Sequence, residues 1–245
     1  ATMKKILFVL LLISTSFYAQ NYEKNWNTVI ENENNCKIKS ANIIVAKIHK
    51  KAIADKNEVQ IIKCFFYESK YLQVVDENAQ TKIINNLKAE IEKASIPSKA
   101  ILNLVYAKCL SDYQKQNYNL VYSRTNTVSL DDDFLTWTRT DFTNKINTSF
   151  ENTLKDEHIL KSTSLTQYEE LFDFLTLEKF KKENLFDYLL KENITFYTQK
   201  INSWGNHTPE FKKSEKELLG KSLDFIKLNI DFVKNETLKK ILELY

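Results

Sequence analysis

Ile38-Lys39-Ser40-Ala41-Asn42-Ile43-Ile44-Val45-Ala46-Lys47-Ile48-His49-Lys50-Lys51-Ala52 decides the fold class. Its apolar positions Ile38, Ala41, Val45, Ile48 and Ala52 step 3-4-3-4, so all five fall on one stripe of an α-helix. A strand would alternate with period two and would split this set between opposite faces. After a short break at Asp55-Lys56-Asn57 the rhythm returns with Ile62, Phe65 or Phe66, Ser69 and Leu72, then with Ile84, Leu87, Ile91 and Ala94. A second break, Ser95-Ile96-Pro97-Ser98, precedes Leu102, Val105, Cys109 and Tyr113. Pro97 suits a first helical turn, where its missing N–H costs nothing. Four amphipathic helices with short joins make two αα-hairpins, the pattern of a tetratricopeptide-like superhelical stack.

Composition supports helices throughout. The chain has 245 residues with only two glycines and two prolines, too few for the turns and phosphate-cradling loops of β-sandwich, Rossmann or P-loop folds. Hydrophobic residues make up 43%, enough to bury a substantial core. Net charge is +3 with the signs interleaved, and Arg124 and Arg139 are the only arginines. Nucleic-acid binders concentrate Lys and Arg on one face, so nucleic acid is excluded as the expected partner.

The chain begins with an address. Met3-Lys4-Lys5 is a positive n-region, and Ile6 to Ile13 an unbroken apolar core. Ser14 to Ala19 then turns small and polar. That core is too short to span a bilayer of ~30 Å, so residues 1–19 read as a secretory signal, with Ala1-Thr2 a remnant ahead of Met3. Cleavage is expected between Ala19 and Gln20. Losing Lys4 and Lys5 lowers the charge from +3 to +1. No later apolar run is long enough for a membrane span, and the mature protein is expected in the periplasm or cell envelope.

Domain organisation follows from the breaks. Residues 20–116 form the helical-hairpin region and 117–133 a connector, in which Tyr118, Leu120 and Tyr122 alternate and mark the best place for any strand. Residues 134–245 form a second helical region, expected to continue beyond Tyr245. There Phe142, Ile146 and Phe150 share a face, Ser164-x-x-Gln167 is a capping box opening Tyr168 to Leu175, and Leu185, Leu189 and Phe196 mark a longer helix ended by Ser203-Trp204-Gly205. Thr208-Pro209 is a helix start, followed by the stripe Leu219, Leu223, Ile226, Ile230 and Val233.

Chemistry-bearing patterns are sparse. Asp131-Asp132-Asp133 lacks the remaining ligands of a calcium loop and suits helix capping before Phe134. Of Cys36, Cys64 and Cys109, the last two sit in apolar contexts and read as small buried hydrophobes. His49, His158 and His207 are scattered outside any His-Glu-x-x-His motif, and His49 reads as structural or surface. No catalytic residue, metal site or cofactor is assigned. Tyr22, Trp26, Trp137 and Trp204 either line a ligand groove or anchor packed helices; Tyr22 and Trp26, near the mature N-terminus, are the candidate docking aromatics.

One resemblance adds to this. Tyr22-x-x-x-Trp26, Lys39-Ser40-Ala41, Ile43 to Val45 and Lys50-Lys51-Ala52 resemble the start of the very large exported alpha-2-macroglobulin-family proteins of Bacteroidetes-type bacteria. Glu58 to Tyr71, Pro97 to Tyr113, Arg124-Thr125, Asp133 to Trp137, Tyr168 and Phe172 to Leu175 extend it in order over most of residues 20–200. The resemblance implies an N-terminal helical region of a protease inhibitor whose partners are proteases. Cys36 departs from the glycine that family favours between its first two helices. The family's bait segment and Cys-Gly-Glu-Gln thioester are not found here, since no cysteine precedes a glycine. The expected function is thus a non-catalytic protein-interaction module, either part of such an inhibitor or a free-standing envelope scaffold binding peptides or proteins. N-terminal sequencing of the natively produced protein should find a start at or near Gln20; recovery of Met3 would remove the export reading.

Overall fold

The computed structural model describes residues 22–124, 133–172, 182–203, 230, 233 and 235–245. The signal residues 1–19 with the Ala19–Gln20 junction, the Asp131-Asp132 pair, Trp204, His207, Thr208-Pro209 and the stripe from Leu219 to Ile226 lie outside them. The protein is all-α. Its helices are α1 (22–34), α2 (Ile38–Asp55), α3 (Glu58–Val75), α4 (Ala79–Lys93), α5 (Ile96–Gln116), α6 (Tyr118–Ser123), α7 (Arg139–Asn152), α8 (Glu157–Ser162), α9 (Leu185–Ser203) and α10 (Glu236–Leu244). Two 3₁₀ segments, Phe134–Thr136 and Leu165–Leu171, join them. Among the described residues the only β-type pairing is an isolated antiparallel bridge between Ser164 and Asn184.

The deciding stripe is buried as its spacing requires. Ala41, Val45, Ile48 and Ala52 are sealed from solvent on α2, and Ile38 packs against the edge of the same cluster. α3 is apolar on two sides: Cys64 and Tyr71 join that first cluster, while Ile62 and Phe65 belong to the main core. It therefore serves as the shared wall between the α1–α2 layer and the rest of the fold.

Side-chain bonds fix the directions of the helices. Tyr22 at the start of α1 donates its hydroxyl to Asp55 at the end of α2 (2.7 Å), so these helices are antiparallel. Trp26 donates to Gln60 near the start of α3 (2.6 Å), and Lys70 near the end of α3 reaches Glu33 near the end of α1 (2.8 Å). α1 and α3 thus run parallel. Glu58 opens α3 and accepts from both the backbone N–H and the hydroxyl of Ser95, which immediately precedes α5. Helices α1, α3 and α5 all begin at one end of the stack.

The first two joints share one geometry. After α1, Cys36 N–H donates to Glu33 O and Lys37 N–H to Asn32 O; after α2, Lys56 N–H donates to Ile53 O and Asn57 N–H to Ala52 O. This double bond pattern places its turning residue in the left-handed region, where glycine is favoured. Here Cys36 (φ 56°) and Lys56 (φ 53°) occupy it.

The second half wraps α5. Thr138 and Asp141 cap α7 reciprocally, and Asn235 caps α10 by accepting from Thr237 and Leu238 N–H, each at 3.0 Å. Asp133 accepts from Leu135 N–H, the capping role expected of it. Ser164 does likewise for Leu165–Leu171, but the segment is 3₁₀ rather than α-helix and ends at Leu171; residues 173–181 lie outside the described part.

Two expectations are corrected. Tyr118 to Tyr122 is helix, because the two tyrosines are four residues apart and stack with ring centroids at 3.8 Å, while Val121 alone is buried. Within the segment assigned as the connector 117–133, Tyr118–Ser123 is α6, and buried residues on both sides of it, from Ile62 to Ile241, form one cluster. On α5 the expected stripe was one-sided, yet Ala100, Ile101, Leu102, Leu104, Tyr106, Ala107, Leu110 and Tyr113 are all buried and Cys109 is only half-buried. The buried face is wide and leaves only a narrow stripe through Lys108, Asp112 and Lys115 to solvent, so a one-sided apolar count does not find its centre.

A non-glycine residue in the left-handed region costs about 1 kcal/mol relative to glycine. Cys36→Gly and Lys56→Gly are each expected to raise the unfolding free energy by roughly that amount, measured by chemical denaturation at fixed pH. A loss of stability in both would mean the joints are not built this way.

Candidate functional site

The core stripe of α2 has a neighbour. Asn42, Ala46, His49 and Ile53 step 4-3-4, one residue on from the buried set, and form a second stripe along the same helix. On α3 the matching row is Ile61, Phe65, Glu68, Leu72 and Val75; on α4 it is Asn86, Ala89, Glu90 and Lys93. These three rows line a groove with α3 as its floor and α2 and α4 as its walls. Ala46, Ser69 and Ala89 are too small to fill the space, which is why it stays open.

The groove has two connected parts that share His49, Phe65, Glu90 and Lys93. The larger holds about 640 Å³ and runs past Asn42, Ala46, Leu72 and Asn86. The smaller holds about 380 Å³ over Ile53, Ile61, Ile62, Ala94 and Leu102. Ile53 and Val75 stand at the rims with 58% and 67% of their surfaces exposed.

His49 occupies the waist. Its Nδ1 lies 3.0 Å from Glu68 Oε1, and among the described residues this is the imidazole's hydrogen-bond partner. That bond raises the imidazole pKa above its ordinary 6.5; burial works against it, while the charges of Glu68 and Glu90 add to it and that of Lys93 subtracts. Glu90 is itself held by Lys93 at 2.9 Å. The pair is an ion pair when the imidazole is protonated.

The candidate docking aromatics lie elsewhere. Tyr22 and Trp26 are buried, at 5% and 4% exposure, because their i,i+4 spacing turns both toward α2 and α3. Trp26 lies tilted against Tyr67 (4.7 Å between centroids), carries Lys63 over its ring (4.5 Å) and bonds Gln60. Gln60 in turn donates to Glu170, which also accepts from Lys63 at 2.9 Å. Both residues are core anchors, and their assignment as docking aromatics is corrected. Trp137 is an anchor too, edge-on to Phe142 at 5.4 Å.

The thiols are structural in character. Cys64 is fully buried, and burial pushes its thiol up to about 12; Cys109 is pushed up to about 11 for the same reason. Neither supplies a thiolate near neutrality. Cys36 is exposed, and all three are free. Among the described residues no group of three metal-ligating side chains comes together, and no helix is long and apolar enough to cross a membrane.

Compared with protein-family models, curated proteins and solved structures, the chain matches none significantly. The site therefore has to be read from its own residues. Sequence periodicity found the stripe that packs and passed over its neighbour, although the small and polar run Asn42, Ala46, His49 was there to be seen.

Because the folded-state pKa of His49 is raised, the His49–Glu68 pair contributes stability in full below the unfolded value of 6.5 and loses it as pH rises through the folded value. His49→Gln should therefore lower the melting temperature more at pH 6 than at pH 8.5. An equal or reversed difference would show that the pair is not formed in solution.

Proposed function

We propose that the protein is a non-catalytic, exported interaction module that holds an extended or helical segment of a partner protein in the α2–α3–α4 groove, as the N-terminal part of a macroglobulin-like protease inhibitor. The observation that carries the docking part is the groove itself. It is open along its length, floored largely by aliphatic and aromatic side chains, and four of its charged groups are paired, as His49–Glu68 and Glu90–Lys93. Such a surface suits apolar anchors of a docked segment. The family part of the reading rests on the resemblance over residues 20–200, and export rests on residues 1–19.

A second reading, a free-standing tetratricopeptide-like envelope scaffold, is favoured by the common starting end of α1, α3 and α5, the arrangement that stacked helical hairpins adopt. The coding sequence beyond Tyr245 discriminates the two: β-sandwich repeats support the inhibitor, an immediate stop the scaffold.

The docking reading is tested by filling the groove from its exposed wall. Ala46→Trp places an indole where Ala46 now leaves space, away from the sealed stripe. Peptides selected on the intact protein for binding should lose at least about tenfold in affinity, roughly 1.4 kcal/mol, on this variant. Selection that yields no binders, or binders indifferent to Ala46→Trp, would refute the groove as the site. As a passive module the chain should also leave a general endoprotease fully active on a large protein substrate. Stoichiometric inhibition with the chain retained on the protease would overturn that.

A further inference from the structure

Away from the groove, three adjoining cavities open among α5, α6, α7, α9 and α10, and Lys200 near the end of α9 lines all of them. The first, about 290 Å³, is bounded by Ile146, Phe196 and the tyrosines of α6, whose rings stack at 3.8 Å. The second, about 260 Å³, is polar. Gln114, Thr143, Asn235 and Thr237 line it together with two cations, Lys200 and Arg139 at the start of α7. Among its described lining residues there is no carboxylate. The third, about 230 Å³, carries both signs, and Glu151 and Glu243 are held there by Lys240 at 2.8 and 3.7 Å. Gln114, Tyr122 and Lys200 are common to the first two, which makes them one cleft with an apolar end and a cationic end. Together they reach the size of small-molecule sites, about 300–1,000 Å³.

We propose that this cleft binds a small organic anion, with its carboxylate or phosphate between Arg139 and Lys200 and its apolar body over Ile146 and Phe196. Arg139 is positioned by contacts on the page. Its guanidinium carbon lies 4.7 Å from the Tyr122 ring centroid, and its backbone carbonyl accepts from Gln114 at 3.4 Å. Tyr118 covers one face of Tyr122, so the guanidinium takes the other. Lys200 is half-buried; burial lowers its pKa below the ordinary 10.5, and the charge of Arg139 lowers it further. Two like charges on one cavity repel, and an anion set between them replaces that repulsion with two attractions. A guanidinium meets carboxylate or phosphate oxygens in pairs, and an ammonium adds a point charge. Hydroxyl and amide groups of Thr143, Thr237, Gln114 and Asn235 line the same space and suit the remaining oxygens. The neighbouring apolar cavity suits a ring or short chain carried by the head group, which favours an organic anion over a bare one. The cleft shares no lining residue with the α2–α3–α4 groove, so its ligand is independent of peptide docking.

The test titrates the full chain calorimetrically with naphthyl phosphate, naphthoate, inorganic phosphate and naphthol at low salt. At least one of the two ring-bearing anions should bind with a Kd below about 1 mM, and the tighter of them identifies the head group. Inorganic phosphate and naphthol, each carrying half of the ligand's chemistry, should bind at least about tenfold more weakly. Lys200→Met and Arg139→Gln should each weaken the ring-bearing anion by a similar factor, and Ala46→Trp in the distant groove should leave it unchanged. Circular dichroism checks that the variants fold. Should either fail to, backbone amide shifts in the unsubstituted protein decide: the anion should move Thr143 and Thr237 and leave Asn42 and Ala46 in place. No binding by either ring-bearing anion, or binding indifferent to both folded variants, would overturn the site. Binding lost on Ala46→Trp, or shifts confined to Asn42 and Ala46, would assign the anion to the groove and overturn it as well. Inorganic phosphate binding as tightly as naphthyl phosphate would remove the apolar end from the site and refute an organic ligand.

Discussion

Enclosure of α5 is the constraint on which the rest of the structure depends. All but the stripe through Lys108, Asp112 and Lys115 is turned inward, which requires several partners, and here α3, α4, α7, α8 and α9 all pack against it. Each partner needs only one apolar face toward α5, which leaves its other side for solvent or for another layer. The polar residues admitted around α5 are satisfied locally: Asn103 bonds back to Lys99 O, and Ser98 pairs with the hydroxyl of Tyr168. Toward its C-terminal end the packing becomes aromatic, with Tyr113 edge-on to Phe134 at 5.0 Å and stacked on Phe142 at 5.8 Å. These contacts explain how α7, which follows a connector, is returned to the same core.

The groove is the counterpart of that enclosure. α4 is committed to α5, and α2 to α3 and α1, so the two helices that would have to meet above α3 are each held elsewhere. Side chains on the intervening faces decide whether the gap closes. With leucines at positions 46, 69 and 89 it would fill and become core. With alanine, serine and alanine it becomes a channel whose floor is apolar and whose rim is charged. A binding surface of this kind needs no dedicated loop; it arises from one helical stripe beside another.

Much of the fold was legible and the site was not, for related reasons. Spacing on α2 and α4 identified Ala41, Val45, Ile48, Ala52, Ile84 and Leu87 because each of those helices buries one face, and one-faced helices leave a periodic record. α5 left a blurred record: of the inferred stripe Leu102, Val105, Cys109 and Tyr113, the first and last are buried while Val105 and Cys109 fall on the less buried side. Tyr118 and Tyr122 imitated a strand because their partner is each other, across one helical turn, rather than a neighbouring strand. Tyr22 and Trp26 looked like docking aromatics because nothing in a single helix says what lies opposite it. The same blindness hid the groove. His49, Glu68 and Glu90 are 19 and 22 residues apart in succession along the chain, and only the packing of three helices makes them neighbours.

The bond from Gln60 to Glu170 imposes an order on how the molecule assembles. Most helices pack on those next to them in sequence, so their loops are short and cheap to close. Gln60 and Glu170 are 110 residues apart, and closing a loop of that length in an unfolded chain costs about 4 kcal/mol of entropy or more. No single hydrogen bond returns that much. The contact forms only after α5 and the helices around it have already brought the 3₁₀ segment back to α3. Until then Gln60, buried and bonded to Trp26, keeps its amide group waiting. The seam between the α1–α3 layer and the later helices is therefore a closing step, and a chain interrupted before residue 170 would lack the carboxylate to which that amide donates.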